Sequence, residues 1–370
     1  MKYVFLLSGD YIGLGKEEIL SLIKIKSHKL IDRLLIIDLN ENLNKKLIKR
    51  LSLTKNIYNF LFECKAGKLL DSMEEFDWNS VYKDNFCLRA FHFDDNDKKT
   101  DKQNPIQKKS INGKFNKNIK KKFTEKNLAG YIWGAVSNPK VNLENPKTEI
   151  SLFFLKDKVY CGLLFKKIGY DFDSRKSHLR PFPHPSSLHP KVARALINIS
   201  GIKENEVLLD PFCGTGGFLI EAGLMNIKSV GYDMDKMMIN GCIENLRHYK
   251  IKNYKIKNKN AINIGDKFDY AVTDLPYGLN SNVYVGNSDN NWKENRINKK
   301  IQAKYFKKNL ENFYLKFLKS LRKKLKKKAV IVFPSYVNDR KLLKKSKFKI
   351  EKEFSIYVHR SLTRKIVKMG

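Results

Sequence analysis

The chain has 370 residues, with 73 Lys and Arg against 38 Asp and Glu and a formal net charge of +35 at pH 7. Its 42% hydrophobic content excludes a disordered tail and allows two or three domains with cores of their own. The basic excess points to a polyanionic partner, most simply RNA or DNA, although Lys runs also occur as plain solvated faces.

Residues 1–62 read as a small α/β unit. Strands are expected at Lys2–Ser8 and Leu34–Leu39, and helices at Gly15–Lys26 and Leu43–Leu51. The apolar run Tyr3–Leu7 is cut by Ser8-Gly9-Asp10 and is too short for a signal peptide. Residues 63–165 form a second unit. Asn85–Phe93 alternates like a strand, and the polar run from Asp94 to about Ser110 reads as an exposed loop. A helix is expected from about Phe115 to Trp133, then strands at Lys140–Asn145, Thr148–Phe154 and Lys158–Lys166. Residues 166–189 are a connector. Pro181, Pro183 and Pro185 exclude a regular helix there, whereas Pro190 suits a first helical turn.

From that point strand and helix alternate. Helices are expected at Val192–Ile199, Gly217–Met225, Met237–Tyr249 and Tyr305–Leu325. Strands are expected at Glu206–Asp210, Ser229–Asp233, Tyr254–Lys257, Phe268–Asp274 and Ala329–Phe333, with a closing hairpin at Phe354–His359 and Thr363–Met369. Such alternation implies an α/β fold with a mostly parallel, doubly wound sheet.

Two strand ends carry the chemistry. The strand Val207-Leu208-Leu209-Asp210 runs into Pro211-Phe212-Cys213-Gly214-Thr215-Gly216-Gly217. The glycines let backbone turn sharply and approach a ligand. The helix that follows offers free N–H groups, which suit a carboxylate as well as a phosphate, and Asp210 suits an ammonium. Asp233 ends the next strand about twenty residues past the first glycine, where an acid accepts hydrogen bonds from a ribose. Asp235 is an alternative there, or a helix cap.

The second motif is Asp274-Leu275-Pro276-Tyr277. An aryl amine is a poor nucleophile because its lone pair is delocalised into the ring. A carboxylate and a backbone carbonyl that accept its two N–H bonds turn the lone pair toward a methyl donor and stabilise the developing positive charge. Pro276 fixes the backbone and Tyr277 offers a ring to stack on a base. The bland alternative is an ordinary turn with Asp274 as a cap. Together the motifs suggest methyl transfer from S-adenosylmethionine to an exocyclic amine of a nucleobase.

The cysteines (Cys64, Cys87, Cys161, Cys213, Cys242) show no CxxC spacing, so neither a zinc site nor a disulfide framework is expected. Reduced thiols and a cytoplasmic setting fit. No stretch approaches the length of a membrane span. His178, His184 and His189 lie on the connector, while His28, His92, His248 and His359 are isolated; no metal site is expected.

The segment Asp210–Gly216 with Asp274-Leu275-Pro276-Tyr277-Gly278 resembles the THUMP-containing RNA methyltransferases that modify the N2 amine of guanosine in tRNA. Residues Trp133–Gly162, with Val141-Asn142-Leu143-Glu144-Asn145-Pro146 and Glu149-Ile150, look like the end of a THUMP domain. The tail Val358-His359-Arg360-Ser361-Leu362-Thr363-Arg364 and the connector's Arg180-Pro181-Phe182-Pro183-His184-Pro185 resemble the archaeal tRNA (guanine-10-N2)-methyltransferase branch. The resemblance covers nearly the whole chain. It implies a ferredoxin-like domain at 1–62, a THUMP RNA-binding domain at 63–165, a linker at 166–189 and a Rossmann-like class I methyltransferase domain at 190–370. It also implies a tRNA partner, a monomer, and a cofactor held by Asp210, Phe212, Cys213, Gly214, Thr215, Gly216, Asp233, Asn260 and Ala261, with Asp274, Pro276 and Tyr277 at the amine.

Two departures stand out. Leu275 replaces the branch's usual second-position proline, which predicts a less rigid turn. Asn260 replaces an aspartate near the cofactor's adenine amine, which predicts weaker cofactor binding, since an amide oxygen still accepts that bond. Other readings are methylation of another tRNA guanosine such as position 6, a DNA amino-methyltransferase, and an RNA-binding protein with a decayed cofactor site.

Overall fold

The computed structural model describes residues 1–93, 123–185, 187–277, 299–360 and 362–370. The chain divides into two compact units: Met1–Lys16, Ile23–Lys49 and Leu53–Gly169 in the first, Glu17–Leu22, Arg50–Ser52 and Tyr170–Gly370 in the second.

The first unit is built on one seven-stranded sheet. In chain order its elements are β1 (Lys2–Leu7), α1 (Ile12–Leu22, shared with the second unit), β2 (Ser27–Ile31), β3 (Leu34–Asp38), α2 (Lys45–Ile48), β4 (Thr54–Lys65), α3 (Leu69–Glu75), β5 (Phe86–His92), α4 (Glu125–Ala135), β6 (Thr148–Leu155) and β7 (Lys158–Lys167). The strand order is β2-β3-β1-β4-β7-β6-β5, antiparallel except for the parallel pair β5–β6. β4 runs across residue 62, so a single sheet joins the two stretches on either side of it. Val4, Leu6, Leu34, Ile36, Tyr58 and Phe153 form one apolar layer, and Leu69, Trp78, Leu88, Leu128 and Phe154 another.

Several expected elements are corrected here. β2, β4 and α3 were not anticipated. β2 is an edge strand with four of its five residues exposed, so it carries no apolar alternation to read. The helix expected at Leu43–Leu51 is one turn, Lys45–Ile48, capped by the Asn44 side chain. The helix expected from Phe115 begins at Glu125, where Thr124 Oγ1 accepts from Asn127 N at 3.2 Å and sets the start. The strand expected at Lys140–Asn145 is only an isolated bridge between Val141 and Phe86. Asn142 Oδ1 accepts from Glu144 N and Asn145 N, which curls the chain into a turn instead. The polar run at Asp94–Ser110, the stretch Phe115–Lys122 and Gly278 lie outside the described residues.

The second unit follows expectation more closely. Its elements are α5 (Pro190–Ser200), β8 (Val207–Asp210), α6 (Gly217–Leu224), β9 (Lys228–Asp233), α7 (Lys236–His248), β10 (Tyr254–Asn258), β11 (Phe268–Asp274), α8 (Lys299–Lys324), β12 (Leu325–Pro334), α9 (Asp339–Lys345), β13 (Ile350–His359) and β14 (Leu362–Met369). Only α9 was not anticipated. The strand order is β10-β9-β8-β11-β12-β14-β13. The first five strands are parallel, and β13 and β14 add the expected antiparallel hairpin. From β8 the chain winds outward through β9 and β10, then returns to lay β11 and β12 on the other side. The order therefore reverses between β8 and β11, and a crevice opens beyond the carboxyl ends of strands at such a point. Both motifs lie there.

The connector is tied to this sheet by buried polar bonds. Glu221 of α6, fully buried, takes Arg175 Nε and Arg194 Nε at 2.8 Å each. Asn245 of α7 accepts from Phe182 N at 2.9 Å and donates to Phe182 O and Thr215 O at 3.0 Å each. One amide thus fixes both the connector and the glycine loop.

Candidate active site

A cavity of about 550 Å³ opens at the switch point, and the ends of β8, β9 and β11 supply its polar wall. Among the expected residues, Asp210, Phe212, Cys213, Gly214, Thr215, Asp233, Asn260, Ala261, Asp274, Pro276 and Tyr277 all line it. Gly216 does not. Its part is to shape the loop, with φ of +87°; a Cβ there would lie 2.7 Å from Cys242 Sγ. Gly214 takes φ of +48°, also left-handed, so two of the glycines are required by backbone geometry.

The loop is braced by carboxylates. Asp233 Oδ2 accepts from Gly214 N at 2.9 Å and Oδ1 from Asp235 N at 3.0 Å. Each oxygen keeps a lone pair for a ligand hydroxyl. Asp235 caps α7 through Met237 N at 2.8 Å, the structural role allowed for it. Asp210 accepts from Thr273 Oγ1 at 2.7 Å and from Phe212 N at 3.3 Å. Burial pushes its carboxyl up to about 7, and these two bonds oppose the rise. Among the described residues no cation pairs with Asp210, and such a buried acid suits a ligand ammonium. Phe212 packs edge-on against Phe317 at 4.9 Å between centroids, and Met234 and Met237 add apolar wall. Asn260 Oδ1 already accepts from Ile262 N at 3.0 Å, which leaves it one acceptor site. Ammonium-seeking acid, hydroxyl-seeking acid and apolar wall fit S-adenosylmethionine.

The second turn is held from a distance. Tyr277 Oη donates to Asp274 Oδ1 at 2.6 Å and accepts from Arg364 Nε of β14 at 2.8 Å. Arg364 Nη2 lies 3.7 Å from Asp274 Oδ2. Tyr314 of α8 donates to Pro276 O at 2.5 Å, and Tyr336 donates to Tyr277 O. Burial raises Asp274 to about 6, opposed first by the Arg364 charge and then by the Tyr277 bond. Burial pushes the Tyr277 phenol up as well, so it remains a donor.

Leu275 is tied down where the branch's usual proline would not be. Its N–H donates to Val332 O at 3.1 Å, a bond no proline makes. Its side chain is 1% exposed within the cluster that holds Tyr314 and Phe333. Arg364, Tyr314, Tyr336 and Asn245 were not anticipated. Only Arg364 stood in a quoted motif, the tail, and without a role. His184, His359 and Leu362 also line the cavity. Among the described residues, no group of three or more His, Cys, Asp or Glu could hold a metal ion, and no helix is long and apolar enough to cross a membrane.

Comparison with known proteins agrees with this geometry. Residues 177–283 match the family described as RMKL-like, methyltransferase domain. A tRNA (guanine(10)-N2)-dimethyltransferase of Methanothermobacter thermautotrophicus is 31% identical over 336 residues, 90% of this chain and 86% of that one. Another, from Pyrococcus abyssi, is 32% identical over 247 residues, 65% of this chain and 67% of that one. In fold, the crystal structure of TrmN from Thermus thermophilus superposes with a TM-score of 0.50 at 15% identity, covering 100% of this chain and 99% of that one. The likeness to the Methanothermobacter protein runs through both units and both cavity motifs, and the chain belongs to the tRNA (guanine(10)-N2)-dimethyltransferase family.

Proposed function

We propose that this chain methylates the exocyclic N2 amine of a guanosine in tRNA, at position 10, using S-adenosylmethionine. The observation that carries the reading is the meeting of two strand ends in one cavity: the glycine loop with Asp210 and Asp233, and the Asp274–Tyr277 turn. Family membership and the charge of +35 support a tRNA substrate.

Asp210 would bind the ammonium of the cofactor, the helix start after Gly216 its carboxylate, Asp233 its ribose hydroxyls, and Asn260 with Ala261 its adenine edge. When bound, S-adenosylmethionine supplies an electrophilic methyl carbon, and the C–S electron pair returns to sulfur as the N–C bond forms. Asp274 Oδ2 and the Leu275 carbonyl orient the guanine amine by accepting its N–H groups, and Asp274 is charged at neutral pH to take the proton that the amine sheds. Tyr277 would stack its ring on the base while its hydroxyl holds Asp274. An N2 amine in a stem is paired, so the base must leave its stack to reach this cavity.

The reading extends to domains. Residues 1–62 would be ferredoxin-like and 63–165 a THUMP domain that holds tRNA by shape and phosphates, with 166–189 as linker and 190–370 as the methyltransferase. Five free cysteines suit a reducing cytosol, and a monomer suffices for the scheme. The test is mass spectrometry of nucleosides from an unmodified tRNA transcript after reaction with cofactor. N2-methylguanosine or N2,N2-dimethylguanosine is expected; methylated adenine, or no product, would overturn the reading.

A further inference from the structure

Among the described residues, the cation that acts on Asp274 comes from the far end of the chain. β14 pairs with β12 so that Arg364 lies opposite Pro334, and its side chain reaches past β12 toward the end of β11. There its Nε–H meets the Tyr277 hydroxyl at 2.8 Å, and that hydroxyl donates onward to Asp274 Oδ1 at 2.6 Å. The relay runs one way: guanidinium to phenol to carboxylate. The side chains of Arg364 and Asp274 are 14% and 18% exposed, so the charge acts with little screening by water.

We propose that Arg364 is a positioning residue for methyl transfer, holding the Tyr277 hydroxyl on Asp274 Oδ1 and keeping the carboxylate charged with Oδ2 turned to the amine. This inference rests on the proposed function. Guanidinium is always protonated and donates from a fixed plane, so it locks the phenol's hydroxyl direction. A phenol locked in this way takes up one carboxylate oxygen and leaves the other with only the longer 3.7 Å contact to Arg364 Nη2, which a lone aspartate would not enforce.

Other groups face the same acid. Asp210 comes from β8 and Tyr314 from α8, and Tyr336 stands beside Tyr314. His359 and Lys259 line the same cavity. Asp210 titrates near Asp274, but its effect falls on cofactor affinity. The charge of Asp274 acts on the rate with cofactor saturating, and the two are separable.

The test measures single-turnover methylation of an unmodified tRNA transcript by the full chain, at saturating cofactor, from pH 6 to 9. In Arg364→Gln the acid limb of the rate should move up by about one to three pH units. The rate should fall about two- to a hundredfold at pH 7, according to the size of that move, and recover toward wild type by pH 9, with cofactor KM nearly unchanged. Arg364→Lys keeps the charge, so its limb should stay near wild type while its plateau falls through loss of the Nε–H donor. With Tyr277→Phe added, either variant should lose less than the product of the single losses, because both substitutions break one relay. Arg364→Lys carries the test if Arg364→Gln fails to bind S-adenosylhomocysteine and so has not folded. An unmoved limb in Arg364→Gln, or losses that multiply independently with Tyr277→Phe, would overturn the inference while wild-type methylation leaves the function standing. A wild-type chain that leaves the transcript unmethylated overturns the function itself.

Discussion

The two turns that face each other across the cavity are built in opposite ways. The path of the glycine loop is set first by its own backbone, with Asn245 of α7 holding Thr215 O. Left-handed Gly214 and Gly216 set its path, and Asp233, from the neighbouring strand end, catches Gly214 N. The Asp274 turn is shaped by side chains from elsewhere: Tyr314 from α8, Tyr336 after β12 and Arg364 from β14. A loop whose path is set by its own glycines depends less on distant side chains. A turn held by remote groups couples its geometry to the terminal hairpin and to α8.

The sharpest way to break this contrast is to remove one function from each turn. Asp274→Ala should lower the single-turnover rate about a hundredfold or more while S-adenosylhomocysteine still binds, as calorimetry would show. Comparable loss of cofactor binding would mean that the turns do not divide the work. Gly216→Ala should do the reverse. A left-handed backbone and a Cβ 2.7 Å from Cys242 Sγ should cost about 2 kcal/mol or more in stability or cofactor affinity. The double variant with Cys242→Ala should recover only the steric part, because φ of +87° remains.

The same contrast explains what was legible in the sequence. β11 was read at its observed limits, and β8 ended as expected at Asp210. Parallel strands buried on both faces are continuous apolar runs, and here each ends in a motif acid. The first unit was harder to read. β4 mixes Asn56, Asn59 and Glu63 with apolar residues on a half-buried strand, and β2 is an exposed edge. The candidate site followed the same rule. The glycine loop was readable because its left-handed glycines stand together in the sequence. Tyr314, Tyr336, Arg364 and Asn245 reach the site from sequence distances at which no short pattern operates, and only the folded sheet brings them together.

Acid–base behaviour gives a third, smaller test. Asp210 is raised to about 7 by burial. A ligand ammonium favours the carboxylate, so binding expels the proton wherever the free protein holds it. S-adenosylhomocysteine affinity should therefore rise about tenfold from pH 6 to 8 and then level off. Asp210→Asn should bind more weakly and lose this slope. A wild-type affinity that is flat with pH would mean that Asp210 does not meet the ammonium.

Leu275→Pro carries the smallest expected effect on rate and sharpens the contrast furthest. Proline would stiffen the turn from within, and it would remove the N–H that now bonds Val332 O at 3.1 Å. It would also withdraw a side chain that is 1% exposed in the core. If the turn is held by Tyr314, Tyr336 and Arg364, the added stiffness gains little. The methylation rate should then stay within about threefold of wild type, while stability falls by about 2–4 kcal/mol for the lost bond and the lost core packing, read by denaturant unfolding. A large rise in rate would show that the leucine turn is slack and that remote bonds do not define it. An unchanged rate with the expected drop in stability would place the rigidity of the turn in residues outside it.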